Sequence, residues 1–248
     1  MNRKKLKITL ISIAVGIGML GIAFGIVMMY LCGGSYAADQ TALKALRSDE
    51  AVTVEQKENT VVFTPDSEPI AGFVFYQGGK VENLAYAPLM RELAERDVLC
   101  VLTKMPFDLA VFGVNAADGL QEQYPQIENW YIGGHSLGGS MAASYAADHA
   151  EDYEGLVLLA AYSTEDLTGT DLKVISLYGT EDKVLNMEKY AENRANLPAN
   201  TVEKTLIGGN HAGFGSYGAQ EGDGTAAMSA SEQTNAVADI VASEMKAA

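Results

Sequence analysis

The sequence predicts an α/β protein with a mostly parallel sheet covered by helices on both faces. Two observations carry this prediction. Short, nearly continuous apolar runs recur along the chain: IAGFVFY at 70–76, DVLCVL at 97–102, GLVLLAA at 155–161 and LKVISLY at 172–178. Segments with apolar residues at helical spacing separate them. A strand that is apolar on both faces must be covered on both faces, and the crossovers that join parallel strands supply the covering helices. The 248 residues suffice for one sizeable core.

The elements follow in order. Residues 33–50 read as a linker running into a short helix, TALKALR. Residues 60–64 are β-branched and short, and read as an early antiparallel strand. After strand 70–76 comes a Gly-Gly loop and a helix over 84–95. Strand 97–102 is followed by a helix expected over 109–123. Strand 130–133 leads into a helix over 137–147. After strands 155–161 and 172–178, a helix is expected over 187–197, a strand over 202–207 and a closing helix over 229–246. About ten residues part strands 155–161 and 172–178, an ordinary loop length that leaves no room for a large cap domain.

The amino terminus differs in kind. Residues 8–32 form a run of 25 without a charge, and a spanning helix needs about 20 apolar residues. Arg3, Lys4, Lys5 and Lys7 all precede the run, which keeps that end in the cytoplasm and exports the rest. The expected organisation is a basic stub (1–7), a transmembrane signal-anchor (8–32), a linker (33–50) and one exported domain (51–248). The rival reading is a secretory signal cleaved near Ala37, where Ser35 and Ala37 offer small residues. The apolar run exceeds the 7–15 residues usual for such a signal. Cys32 as a lipidated residue is disfavoured by bulky Tyr30 and Leu31 before it. Cys32 and Cys100 are not expected to pair.

Charge narrows the partners. The chain holds 17 basic and 32 acidic residues. Removing the four basic residues of the amino terminus leaves 13 against 32, a net −19. Such a surface argues against nucleic acid and polyanionic substrates.

The chemistry sits in Gly134-His135-Ser136-Leu137-Gly138, which fits G-x-S-x-G between a strand and a helix. A nucleophilic serine needs a tight turn above the sheet, with glycines where the backbone folds back. The amino end of the following helix favours developing negative charge. The bland alternative is a glycine-rich helix start with Ser136 as N-cap.

A serine hydroxyl needs a base. Of three histidines, His135 lies inside the turn and His149 ends the following helix, where a cation meets the last carbonyls. His211 lies in a glycine-rich loop just past the last strand and is the candidate base. A carboxylate must orient it. Asp182 follows strand 172–178 and is favoured over its neighbour Glu181 by the order Ser, Asp, His. The oxyanion needs backbone donors. The Leu137 amide is one. The second is assigned to Gly79 in the loop Gln77-Gly78-Gly79-Lys80, with Lys80 as the alternative donor or a substrate contact. No metal-ligand spacing occurs, and no metal or cofactor is expected. Phe107, Phe112, Phe214 and Tyr217 read as ordinary packing, with pocket lining as the alternative.

Four stretches resemble the α/β-hydrolase superfamily, and more closely its group often labelled family 5. They are FYQGGKVENLAYAPLMRELAERD, GGHSLGGSMAA, YGTEDKV and GGNHAGFGSYGAQEGDG. The resemblance runs from about Val61 to the carboxyl terminus. It implies an eight-stranded, mostly parallel sheet and a Ser–His–acid triad, but no substrate. Where the oxyanion loop of such proteins usually begins His-Gly, this chain has Gln77. The expected function is carboxylic-ester hydrolysis through an acyl-enzyme, on a small-molecule ester. Its rivals are acyl transfer to a cell-surface acceptor, and a catalytically silent tethered binding protein.

Overall fold

The computed structural model describes residues 33–247, together with nine residues between 16 and 31. Most of the expected membrane span therefore lies outside the described residues, as does Cys32. The nine are helical, and Met19 and Ile22 among them are exposed. Among the described residues no helix is long and apolar enough to cross a membrane.

Residues 35–248 form one compact unit, distinct from 1–34. The unit is built on one eight-stranded sheet. Its strands are β1 (Val52–Gln56), β2 (Thr60–Pro65), β3 (Ala71–Tyr76), β4 (Val98–Thr103), β5 (Trp130–His135), β6 (Gly155–Leu159), β7 (Lys173–Gly179) and β8 (Val202–Leu206). They lie in the order 1-2-4-3-5-6-7-8. β2 pairs antiparallel with β1 and β4, and every other pairing is parallel. The helices are α1 (Gln40–Ala45), α2 (Ala87–Ala94), α3 (Leu137–Asp148), α4 (Met187–Asn193) and α5 (Ala230–Lys246).

Strand periodicity splits the core in two. Phe73 and Phe75 face one side, with Tyr86, Met90, Leu93, Val237 and Val241 of the helical layer. Val74 and Tyr76 face the other, with Ile132, Leu156, Leu158 and the alanines of α3. Successive side chains of a strand point to opposite faces, so β3 to β7, covered on both, are largely apolar. Burial of this kind contributes roughly 25 cal/mol per Å² of apolar surface removed from water.

α5 begins at a reciprocal cap: Ser229 accepts from the Glu232 amide, and the Glu232 carboxylate accepts from the Ser229 amide. α2 starts with Pro88 in its first turn, where a missing N–H costs nothing. The β6–β7 connection, 160–172, carries no helix.

One expectation fails. The helix expected over 109–123 is absent, and short 3₁₀ turns at Pro106–Asp108, Ala110–Phe112 and Gln121–Gln123 stand there instead. The buried Tyr76 hydroxyl donates to Val114 O (2.5 Å) and accepts from Ala117 N (3.1 Å), taking backbone groups that a helix would pair internally. Gly119, at φ +68°, also breaks the turn. Residues 33–50, expected as a linker running into a short helix, contain the helix α1 and are bonded to the unit from Ser35 onward. Tyr36 N donates to Lys80 O (2.8 Å), Glu82 N donates to Tyr36 O (3.0 Å), and Ala42 of α1 is fully buried. β1, a mostly exposed edge strand, had no counterpart in the sequence reading.

Candidate active site

The loops after β3, β4, β5, β7 and β8 all leave the carboxyl edge of the sheet, where α/β sheets place their sites. Ser136 occupies the turn from β5 into α3 with φ 53° and ψ −122°. That conformation costs a non-glycine residue roughly 1–3 kcal/mol and persists because its surroundings enforce it. The flanking glycines allow it. A Cβ on Gly134 would lie 2.4 Å from Tyr76 O, and one on Gly138 would lie 2.3 Å from Gln77 O. Ser136 holds the N-cap position of α3 but its side chain caps nothing. That removes the helix-start alternative.

A cavity of about 270 Å³ opens here, and Ser136, Leu137 and His211 all line it. Tyr162 and Val184 to Asn186 complete its far wall. His211 is buried, and its Nδ1 lies 2.8 Å from Asp182 Oδ2. The other carboxylate oxygen accepts from the amides of Val184 (2.9 Å) and Leu185 (2.8 Å). Burial alone would raise the Asp182 pKa. The His211 hydrogen bond and charge, with the two amides, outweigh it and hold the carboxyl below its ordinary value. Glu181 does not reach His211, and its carboxylate accepts from Thr180 Oγ1 (3.0 Å).

The loop carrying His211 is clamped rather than loose. Gln233 of α5, fully buried, accepts from Asn210 N (3.0 Å) and donates to Asn210 O (2.8 Å). Ala212 N donates to the Asp223 carboxylate (2.8 Å), and Asn210 donates to Gly224 O (2.8 Å). These bonds fix the backbone on both sides of the imidazole.

On the opposite flank, Gly79 lies between Leu137 and Leu109; a Cβ there would stand 3.1 Å and 3.7 Å from their Cδ2 atoms. The Lys80 amide donates to Asp108 O (2.7 Å), so it is not available as the second oxyanion donor. Lys80 Nζ donates to Phe107 O (3.4 Å), and Lys80 does not line the Ser136 cavity. Gln77, in the place of the usual histidine, is fully buried. Its amide donates to Val81 O (2.7 Å) and Asp108 Oδ1 (2.8 Å), and its carbonyl accepts from Met105 N (3.0 Å). One side chain thus ties the oxyanion loop to the loop after β4.

The sequence reading missed His135. Its ring is buried beneath the site, 4.4 Å centroid to centroid from His211 and 5.4 Å from Phe214. Tyr86 Oη accepts from Gly78 N (3.1 Å) and lies 2.8 Å from His135 Nδ1. Burial first, then the neighbouring His211, hold His135 well below the usual histidine range. His149 plays the expected bland part: it ends α3, and its Nδ1 lies 2.8 Å from Tyr145 O. Phe214 and Tyr217 are buried packing residues, whereas Phe107 and Phe112 are half-exposed and do not line the Ser136 cavity. Among the described residues no cluster of three or more His, Cys, Asp or Glu side chains is placed to hold a metal ion.

The chain is similar in fold to several solved structures. One is carboxyl esterase 2 from the fungus Tuber melanosporum, at 12% identity and TM-score 0.60, over 86% of this chain and 90% of that one. Another is Est1E from Butyrivibrio proteoclasticus, at 13% identity and TM-score 0.58, over 80% and 100%. A third is a predicted CIB-like hydrolase from Thermoplasma acidophilum, at 15% identity and TM-score 0.54, over 78% and 99%. No curated protein matches the chain. The model of the alpha/beta hydrolase family matches residues 72–235, about two thirds of the sequence. The chain is a member of the alpha/beta hydrolase family.

Proposed function

We propose that this protein is a serine hydrolase that cleaves carboxylic esters, with Ser136 as nucleophile, His211 as general base and acid, and Asp182 as its orienting carboxylate. The observation that carries this reading is His211: bonded through Nδ1 to a buried carboxylate, it lines one cavity with a strained serine that caps no helix. The Asp182 bond keeps the Nδ1 proton in place and leaves Nε2 to accept the serine proton.

Ser136 Oγ attacks the ester carbonyl carbon while His211 Nε2 takes its proton. The Leu137 and Gly79 amides hold the resulting oxyanion. Collapse breaks the bond to the alcohol oxygen, which takes the proton from His211 and leaves. Water then repeats the sequence: His211 removes its proton, the hydroxyl adds to the acyl carbon, and the acid departs as Ser136 regains its proton. The scheme needs no metal or organic cofactor. The fold is shared with a solved carboxyl esterase.

Residues 8–32 act as an uncleaved membrane anchor with the hydrolase unit outside the cytoplasm. Support comes from Tyr36, which a cut near Ala37 would remove. Besides its backbone bonds to Lys80 and Glu82, its hydroxyl accepts from Glu221 N (3.1 Å) and its ring packs 5.5 Å from that of Tyr217. Release of short p-nitrophenyl esters by the full chain, wild type beside Ser136→Ala, tests the chemistry. Turnover that survives in the variant removes Ser136 from its role.

A further inference from the structure

We infer that the loop 105–113 is a membrane-contact surface, which seats the mouth of the active site on a zwitterionic phospholipid bilayer so that ester substrates arrive from the lipid. The inference rests on the anchor reading above. Its first ground is covalent. Only Gly33 and Gly34 separate the end of the apolar run at Cys32 from Ser35. Three extended residues reach about 11 Å, so Ser35 stays within that distance of the end of the span.

The second ground is where Ser35 sits. Its hydroxyl donates to the Asp108 carboxylate (2.5 Å), and the next residue, Tyr36, is bonded to Lys80. The chain thus enters the folded unit on the loop after β4, beside the oxyanion loop. A tether this short keeps this loop within reach of the bilayer surface.

The third ground is what the loop displays. Phe107, Val111 and Phe112 are 47%, 46% and 52% exposed, and the two phenyl rings meet edge to face at 5.8 Å. Phe107 and Asp108 both adopt positive φ, +57° and +54°. The patch continues into an open groove of about 700 Å³ lined by Pro106, Val111 and Phe112, with Lys104 on its wall. A cluster of apolar side chains raised from a polar surface marks an interaction site, and phenyl rings beside a cation fit the boundary between acyl chains and phosphate headgroups. The partner is zwitterionic because a unit of net −19 is repelled by anionic lipid. The same repulsion disfavours a second copy of the chain. Leu109 of this loop borders Gly79, so an ester at the bilayer surface lies next to the oxyanion site.

The test uses the full chain in phosphatidylcholine vesicles containing brominated lipid, and reads tryptophan quenching. Phe112→Trp probes the loop. Asp171→Trp, exposed just before β7 at the opposite edge of the sheet, is the control, and the native Trp130 is common to both. The expected result is quenching of at least about twofold at position 112 and none at 171. Equal and negligible quenching with the protein in the vesicle fraction overturns the inference and leaves the anchor standing. Protein left in the supernatant overturns both. Protection of position 112 that depends on protein concentration rather than lipid assigns the patch to self-association and also overturns it.

A second variant, Phe107→Ser with Phe112→Ser, separates surface from site. Hydrolysis of a vesicle-borne ester should fall about tenfold or more, with a soluble short-chain ester unchanged within about twofold. Equal loss on both esters overturns the inference. If the wild type cleaves neither ester, the hydrolase reading falls, and the quenching result still decides the surface.

Discussion

The two loops that flank Ser136 are held by the same kind of bond and put to opposite use. The His211 loop is buried; Gln233, Asp223 and Asn210 fasten its backbone, and its imidazole packs on His135. The loop after β4 is fastened on its inner side, through Met105 to Gln77, Phe107 to Lys80, and Asp108 to Gln77, Lys80 and Ser35, and turns the Phe107, Val111 and Phe112 side chains outward. A proposed base must stay within hydrogen-bond reach of its nucleophile, and bonds on both sides of His211 serve that. An outward-facing surface needs only a fixed root. In the proposed reading, dense hydrogen bonding goes with the chemistry and exposed apolar side chains go with docking.

The comparison can be broken most severely at the base. Asp182→Asn should lower kcat about 10⁴-fold with little change in KM, because the amide favours the wrong imidazole tautomer. Steady-state kinetics on a soluble ester check it; a loss below tenfold would show that Asp182 does not orient His211. Gln233→Ala strips both Asn210 bonds without touching the catalytic groups. It should lower kcat about tenfold or more and destabilise the protein by about 2 kcal/mol. Thermal melts beside kinetics separate those two effects.

Gln77→Leu sharpens the other side. It leaves Met105 N and Asp108 without their partner and frees the oxyanion loop, so a smaller fall, about tenfold in kcat, is expected. Equal kcat in variant and wild type would show that the loop is positioned without Gln77.

The smallest effect concerns pH. Burial and His211 keep His135 neutral in the folded protein, while the unfolded chain protonates it near pH 6.5. The unfolded state then binds the extra proton, so stability falls as pH drops below that value. Asp182 acts in a separate, lower window. Its depressed pKa stabilises above the ordinary carboxylate range and is lost only as pH falls through the folded value. Between pH 7 and 5.5 the melting temperature of wild type should therefore fall more than that of His135→Gln. Parallel falls would assign the acid sensitivity elsewhere.

How much of this was legible in the sequence follows from which forces are local. The apolar runs of β3 to β7 announced a sheet covered on both faces. The G-x-S-x-G turn and the order Ser136, Asp182, His211 announced residues that the fold brings to one edge. The 109–123 segment misled because LAVFGVNAADGL has helical apolar spacing, yet a tertiary partner, Tyr76, claims its backbone at Val114 and Ala117. β1 was missed because an exposed edge strand carries little apolar signal. His135 was passed over because adjacent residues of a turn usually diverge. Only the packing of Tyr86 shows that its ring turns down beneath the base. Gln77 stood out as a departure from the usual histidine, but two of its three partners, Met105 and Asp108, lie about thirty residues further along the chain.

The central claim is that Ser136 is a nucleophile activated by His211. Covalent labelling of the full chain with a fluorophosphonate, followed by mapping of the modified peptide, tests it without choosing a substrate. The account predicts one label per chain, on Ser136, abolished by Ser136→Ala and strongly slowed by His211→Ala. A wild-type protein that takes no label, or takes it on another serine, would contradict it.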